Sequence, residues 1–387
     1  MRFEFSTANR IVFGPGTLAE IGTALRELEA RRLLVVHGAN PARTTPVVKI
    51  ARDANIECVL FSVPREPTTS LVAEGVGLAR EAGCDGVIGF GGGSVIDAAK
   101  AIAGLATNPG EVHDYLEIIG LGRPLKNPAL PWIAIPTTAG TGAEVTRNAV
   151  IISLEHRVKV SLRSPLLLPR LAIVDPELTR NLPPAITAAT GLDALTQLIE
   201  PFVCTRANPM TDGLCLEGIG RVSRSLRRAF ENGTEDSAAR EDMALASLFG
   251  GLALANAGLG AVHGFAAPIG GMFPHAPHGM VCAALLPHVM RVNLHALRER
   301  NPGGESLRRY DQIARTLTEN DKASADDGVA FVSELCVALG VQPLSFHGIT
   351  GADIPRLVQN AARASSMKPN PVVMTPEELS EILHAAI

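Results

Sequence analysis

Short apolar runs and helical stretches alternate along this 387-residue chain as far as Asp175. Arg32-Leu33-Leu34-Val35-Val36 reads as a strand, and Cys58–Phe61, Gly86–Phe90, Ile133–Ile135 and Leu171–Val174 repeat the pattern. Apolar residues run through each without polar alternation, which predicts burial on both faces of a sheet. Between several of these runs the apolar spacing becomes helical, as over Thr45–Ala54 and Ser70–Ala82. Strands that alternate with helices predict a parallel α/β sheet. Beyond Asp175 the β-branched clusters thin out and Ala, Leu and charged residues dominate. Ala188–Phe202, Pro209–Asn232, Glu241–Ala257 and Val329–Leu339 are predicted helices, and Gly303-Gly304 and Asn320–Asp327 are predicted loops. Asp175-Pro176-Glu177-Leu178 and Pro183-Pro184 punctuate the change. The expectation is an α/β domain with a Rossmann-like parallel sheet over 1–178 and an all-α domain over 179–387.

Composition narrows the function classes. Lys and Arg number 35 against 39 Asp and Glu, for a net charge of −4. No basic footprint for nucleic acid follows from that balance. Two Tyr, one Trp and 12 Phe are too few for stacking single-stranded bases. At 46% hydrophobic residues the chain can bury a sizeable core, which excludes disorder as its main state. The opening MRFEFSTANR lacks the apolar stretch of a signal peptide. The longest apolar stretch, Asn256–Phe273, is broken by His263, Pro268 and five glycines, so no membrane span is expected. Six cysteines form no CxxC pair and sit in apolar segments. They read as small core residues in a reducing, cytoplasmic setting.

Three segments carry candidate chemistry. Gly91-Gly92-Gly93-Ser94, followed by VIDAAK, comes directly after the strand ending at Phe90. Glycines there permit close backbone approach, and the amides of a helix start favour a pyrophosphate. The pattern is not GxGxxG and does not follow the first strand, so an ordinary Rossmann fingerprint is absent. Pro136–Thr146 places four threonine hydroxyls and two glycines in eleven residues after the strand Trp132–Ile135. Such a loop suits phosphate, ribose or a carboxamide, and equally an ordinary capping loop. Third, Asp193 and Gln197 stand four apart on a predicted helix, on one face. His263, His275, His278 and His288 come later. A carboxylate with two or three imidazoles suits Zn²⁺ or Fe²⁺. Spacing alone leaves open an unrelated set of core and surface histidines.

In this order, GGGSVIDAAK, PTTAGTGAEVT, DPELT, GLDAL and HAPHGMVCAALLPHVM resemble the iron-containing (group III) alcohol dehydrogenases. The likeness runs from Phe13-Gly14-Pro15-Gly16 past His288. It implies an N-terminal dinucleotide-binding domain, a helical C-terminal domain, an active site in the cleft between them and a homo-oligomer, a dimer or larger. It assigns NAD or NADP to Gly91, Gly92, Gly93, Ser94, Asp97, Thr137, Thr138 and Lys159. It assigns a divalent metal, Fe²⁺ or Zn²⁺, to Asp193, His263 and His278, which then serve catalysis as well. The implied reaction is hydride transfer between nicotinamide and a metal-polarised alcohol or aldehyde, with no nucleic acid and no membrane as partner.

Three positions depart from the family pattern. A metal histidine is replaced by Gln197, a weaker neutral donor, unless His275 takes its place in a segment one residue longer. A proton-passing histidine is replaced by Ala267, so the proton must leave through water or ribose hydroxyls. The aspartate that ends the first cofactor strand is replaced by Gly38, which lifts repulsion toward a 2′-phosphate, with Arg43 nearby. These departures keep two alternatives in view: a maleylacetate-reductase-like enzyme with weak metal dependence, and a catalytically silent nucleotide-binding protein.

Overall fold

The structure, a computed structural model, describes residues 2–387. The chain divides into two compact units. One comprises Ser6–Thr138 with Gly142–Thr179, and the other comprises Arg180–Ile387 with residues 2–5 and Ala139–Thr141.

The first unit is built on β1 (Ile11–Phe13), β2 (Arg32–His37), β3 (Glu57–Ser62), β4 (Gly86–Gly91), β5 (Trp132–Pro136) and β8 (Leu171–Val174). These six strands are all parallel, in the order β1-β8-β5-β4-β2-β3. Helices α1 (Ile21–Leu28), α2 (Thr45–Asp53), α3 (Thr69–Glu81) and α4 (Gly93–Ala106) connect or follow the first four, and α5 (Val112–Tyr115) is a single turn. Alternate residues of β2 feed different cores. Leu34 and Val36 pack with Ile96, Ile102 and Trp132, while Leu33 and Val35 pack with Ile21, Leu25 and Ile133. Two-sided burial explains why the apolar runs do not alternate with polar residues.

The strand at Cys58–Phe61 corrects the expectation of burial on both faces. It is β3, an edge strand paired only with β2, and Leu60 is 44% exposed. Its apolar sequence resembles that of a central strand, but one rim lacks a neighbour. An antiparallel hairpin, β6 (Asn148–Ser153) with β7 (Val158–Arg163), lies outside the predicted strand set.

Chain order and spatial order disagree at β1, which lies beside β8 at the far edge, and again around β2. From β2 the chain steps outward to β3, then returns to β4 on the other side of β2 and continues to β5. The reversal opens a crevice at the carboxyl ends of β2 and β4, where open α/β sheets take their ligands. His37 pairs in register with Phe90, so Gly38 and the Gly91–Ser94 run flank that point.

The second unit is helical: α6 (Pro184–Val203), α7 (Pro209–Asn232), α8 (Ser237–Asn256), α9 (Ala261–Met272), α10 (His278–Arg300), α11 (Glu305–Thr318), α12 (Ala325–Ala338), α13 (Ile354–Arg363) and α14 (Pro376–Ala386). All four predicted helices of this half are present. The predicted loop over Asn320–Asp327 is shortened, because Ser324 caps α12. By length and composition α10 is apolar enough to cross a membrane, but 72% of its apolar window is buried in the unit's own core. Leu285, Leu286 and Val289 pack there against α6 and α7 residues such as Leu195 and Ile219.

Candidate cofactor loop and metal centre

Gly92 is the N-cap of α4, with extended backbone at φ −74° and ψ −177° and no side chain to cap the helix. Its carbonyl accepts from the amides of Val95 and Ile96, both at 3.0 Å. The amides at the start of α4 thus face outward without a side-chain acceptor, as an anion requires. A Cβ built on Gly92 would stand 3.3 Å from Cγ2 and Oγ1 of Thr138, so a larger side chain fills the cradle. Thr137 N donates to Gly91 O at 2.9 Å and ties the two loops together.

The Thr/Gly segment is anchored from behind by Lys100. Its buried ammonium donates to Ala143 O at 2.9 Å, Thr146 Oγ1 at 2.8 Å and Asn148 O at 2.7 Å. Burial lowers the Lys100 pKa, against the pull of Asp97. Asp97 Oδ2 accepts from Val150 N at 3.1 Å, and Oδ1 lies 3.4 Å from Lys100 Nζ. Asp97 is therefore engaged with the hairpin and with Lys100. Lys159 sits on β7 with its Nζ 3.0 Å from Glu66 Oε2. A Cβ on Gly38 meets nothing within 4 Å. Arg43 donates to the carbonyl of Leu178 at 3.2 Å.

Three helices of the other unit converge on Asp193. It lies on α6 and is 2% exposed. Its buried Oδ1 makes no hydrogen bond. Instead it faces His263 Nε2, from α9, at 3.4 Å and His278 Nε2, from the first position of α10, at 3.8 Å. Cys282 Sγ lies 3.7 Å from His278 Nε2 and 4.0 Å from His263 Nε2. One donor atom from each of these four residues falls within 4.8 Å of every other. A buried oxygen without a hydrogen bond, two imidazole nitrogens and a sulfur turned toward one point form a donor set for a divalent cation.

The local packing explains the convergence. A Cβ at Gly279 would collide with the carbonyl of Ala189 on α6, so glycine lets the start of α10 approach α6 and carries His278 to Asp193. Glu200, two turns beyond Asp193 on α6, accepts from Val262 N at 2.7 Å through Oε1 and contacts His263 Nδ1 at 2.7 Å through Oε2. A carboxylate on one ring nitrogen fixes the tautomer and aims the other at the metal position. Burial raises the Asp193 pKa, but His278 and His263 outweigh it and hold the carboxyl below its ordinary range. Burial disfavours the charged form of His263, yet Cys282, Asp193 and Glu200 outweigh it and hold that pKa well above the ordinary value.

Gln197 is buried one turn from Asp193, and its amide nitrogen donates to Gly140 O at 3.1 Å. His275 is exposed, and neither it nor His288 joins the donor cluster. Cys282 and Glu200 escaped the sequence reading. His278 and Cys282 share the i, i+4 spacing of Asp193 and Gln197, a signal hidden by treating every cysteine as core. The other five cysteines do not join the cluster.

A family model for the iron-containing alcohol dehydrogenases matches residues 8–176, and one for the C-terminal region of the Fe-containing alcohol dehydrogenase family matches residues 187–387. The chain is 35% identical to the 1,3-propanediol dehydrogenase of Klebsiella pneumoniae, covering 99% of this chain and 98% of that one. It is 34% identical to the NAD-dependent methanol dehydrogenase of Bacillus methanolicus, covering 97% of each. Among solved structures, a 1,3-propanediol oxidoreductase superposes with a TM-score of 0.92 at 33% identity over the whole of both chains. A sulfoacetaldehyde reductase from Bifidobacterium kashiwanohense in complex with NAD⁺ gives 0.85 at 28% identity, covering 100% of this chain and 99% of that one.

Proposed function

The chain belongs to the iron-containing alcohol dehydrogenase family, and from that premise we propose that it interconverts alcohols and aldehydes with a nicotinamide dinucleotide. The observation that carries the reading is the buried Asp193 Oδ1, without a hydrogen bond and faced by His263 and His278. When bound, the metal supplies a Lewis acid for the substrate oxygen and the nicotinamide supplies or takes the hydride. Asp193 offsets the metal's charge, and Glu200 keeps Nε2 of His263 directed at it. Gln197 is the further donor this reading takes from the sequence. Ala267 provides no imidazole that could take the alcohol proton. Gly38, Gly91, Gly92, Gly93, Ser94, Asp97, Thr137, Thr138 and Lys159 hold the dinucleotide. Residues 1–178 form the cofactor domain and 179–387 the metal and substrate domain of a cytoplasmic homo-oligomer.

The test is turnover of short alcohols and aldehydes with NADH/NAD⁺ and NADPH/NADP⁺, before and after metal removal. Activity that falls on chelation and returns with Fe²⁺ or Zn²⁺ supports the reading. Activity indifferent to chelation removes the metal's role. Tight dinucleotide binding without turnover on any substrate leaves a binding protein.

A further inference from the structure

At the metal position Gln197 stands where the resemblance implies an imidazole. The two available donors differ in kind. The amide nitrogen of Gln197 is already spent on Gly140 O, which orients the group and leaves only a neutral oxygen as donor. Cys282 lies one turn into α10 from His278, fully buried, with its sulfur 3.7 and 4.0 Å from the two imidazole nitrogens that face Asp193. Cys282 belongs to the buried apolar core of this unit, and its sulfur also lies near a carboxylate and two imidazoles.

We propose that Cys282 is a metal ligand of this protein, binding as a thiolate beside Asp193, His263 and His278. The inference rests on the metal reading above and deepens it. α10 then supplies, one turn after His278, a stronger donor than the neutral amide oxygen that Gln197 offers one turn after Asp193. On metal binding the S–H bond breaks, the sulfur lone pair goes to the metal and the proton leaves to solvent. A coordinating metal deprotonates a thiol outright. A soft thiolate donor also shifts preference toward Zn²⁺ and away from hard cations such as Mg²⁺ and Mn²⁺.

Cobalt decides the matter, because Co²⁺ reports its ligands by colour and a thiolate adds an intense near-ultraviolet charge-transfer band. Wild-type protein is stripped with chelator, reloaded with Co²⁺ and checked for stoichiometry by elemental analysis. The expected result is a charge-transfer band in the wild type that disappears in Cys282→Ser and persists in Gln197→Ala. Co²⁺ affinity should fall about 10- to 100-fold in Cys282→Ser. Cys282→Ala serves if the serine variant does not fold. Stoichiometric Co²⁺ in the wild type without the band overturns the ligand assignment while leaving the metal site standing. A band that survives both Cys282 variants overturns it as well. Failure of the wild type to retain Co²⁺, or equal retention by Asp193→Ala, overturns the metal reading and this inference together.

Discussion

At Gly92 the dinucleotide loop offers backbone amides from neighbouring residues, set by one strand end and one helix start. At Asp193 the metal cluster gathers four side chains from three helices, and each is held by packing from elsewhere in the chain. The loop depends on backbone shape, and the cluster on the identity and orientation of its side chains. Substitutions should therefore separate the two regions: metal-site variants should leave dinucleotide affinity untouched, and loop variants should leave metal content untouched.

The largest effect is expected at Asp193→Ala, which removes the carboxylate from the cluster. Metal content measured on the purified variant should fall to background and turnover by more than about 100-fold, since even partners that only orient ligands are worth 10–100-fold. NADH titration by fluorescence should match the wild type. If dinucleotide affinity falls equally, the two regions are not separable. Next comes Glu200→Gln, which keeps the shape but weakens the hold on His263 Nδ1. Metal affinity by competition with a chelating dye should fall about 10- to 100-fold. Unchanged affinity would mean that packing alone orients the ring.

Gly92→Val acts on the other region. Its extended backbone accepts valine, but the branch meets Thr138. Dinucleotide affinity should drop at least tenfold, about 1.4 kcal/mol, with metal content unchanged. The same affinity in a folded variant would reject the loop as the phosphate site. The smallest effect is expected at Gly38→Asp, where the open space around a Cβ admits the new side chain. A carboxylate near a 2′-phosphate at an exposed site costs about 1 kcal/mol. The ratio of kcat/KM for NADPH over NADH should fall about fivefold. A ratio that does not move would place Gly38 away from the ribose.

Much of the first region was legible in sequence because its determinants are local. The apolar run Gly86–Phe90, the glycines after it and the helical spacing from Ser94 lie within one strand-turn-helix unit. Order along the chain therefore stands in for position in space. The burial of β3 was misjudged for the converse reason, since membership of a sheet edge is not a property of the strand's own residues. Asp193, His263 and His278 were reached through ordered motifs rather than through spacing. Cys282 is not legible as a ligand in the sequence, because its i, i+4 partner is a histidine on a helix that the apolar pattern does not mark out.

By itself the sequence determined where strands and helices form, since apolar periodicity and glycine placement are read over a few residues. It also set the change of architecture near Asp175 and the strand-turn-helix form of the Gly91–Ser94 segment. Only the tertiary structure decided which strand ends flank the crossover in the sheet, because strand order depends on pairings between distant segments. It alone turned Glu200 onto His263 and brought Cys282 to the imidazoles. The physical reason is that a ligand set of buried side chains depends on how closely α9 and α10 pack against α6. That approach depends on residues such as Gly279, whose missing Cβ matters only once Ala189 lies against it.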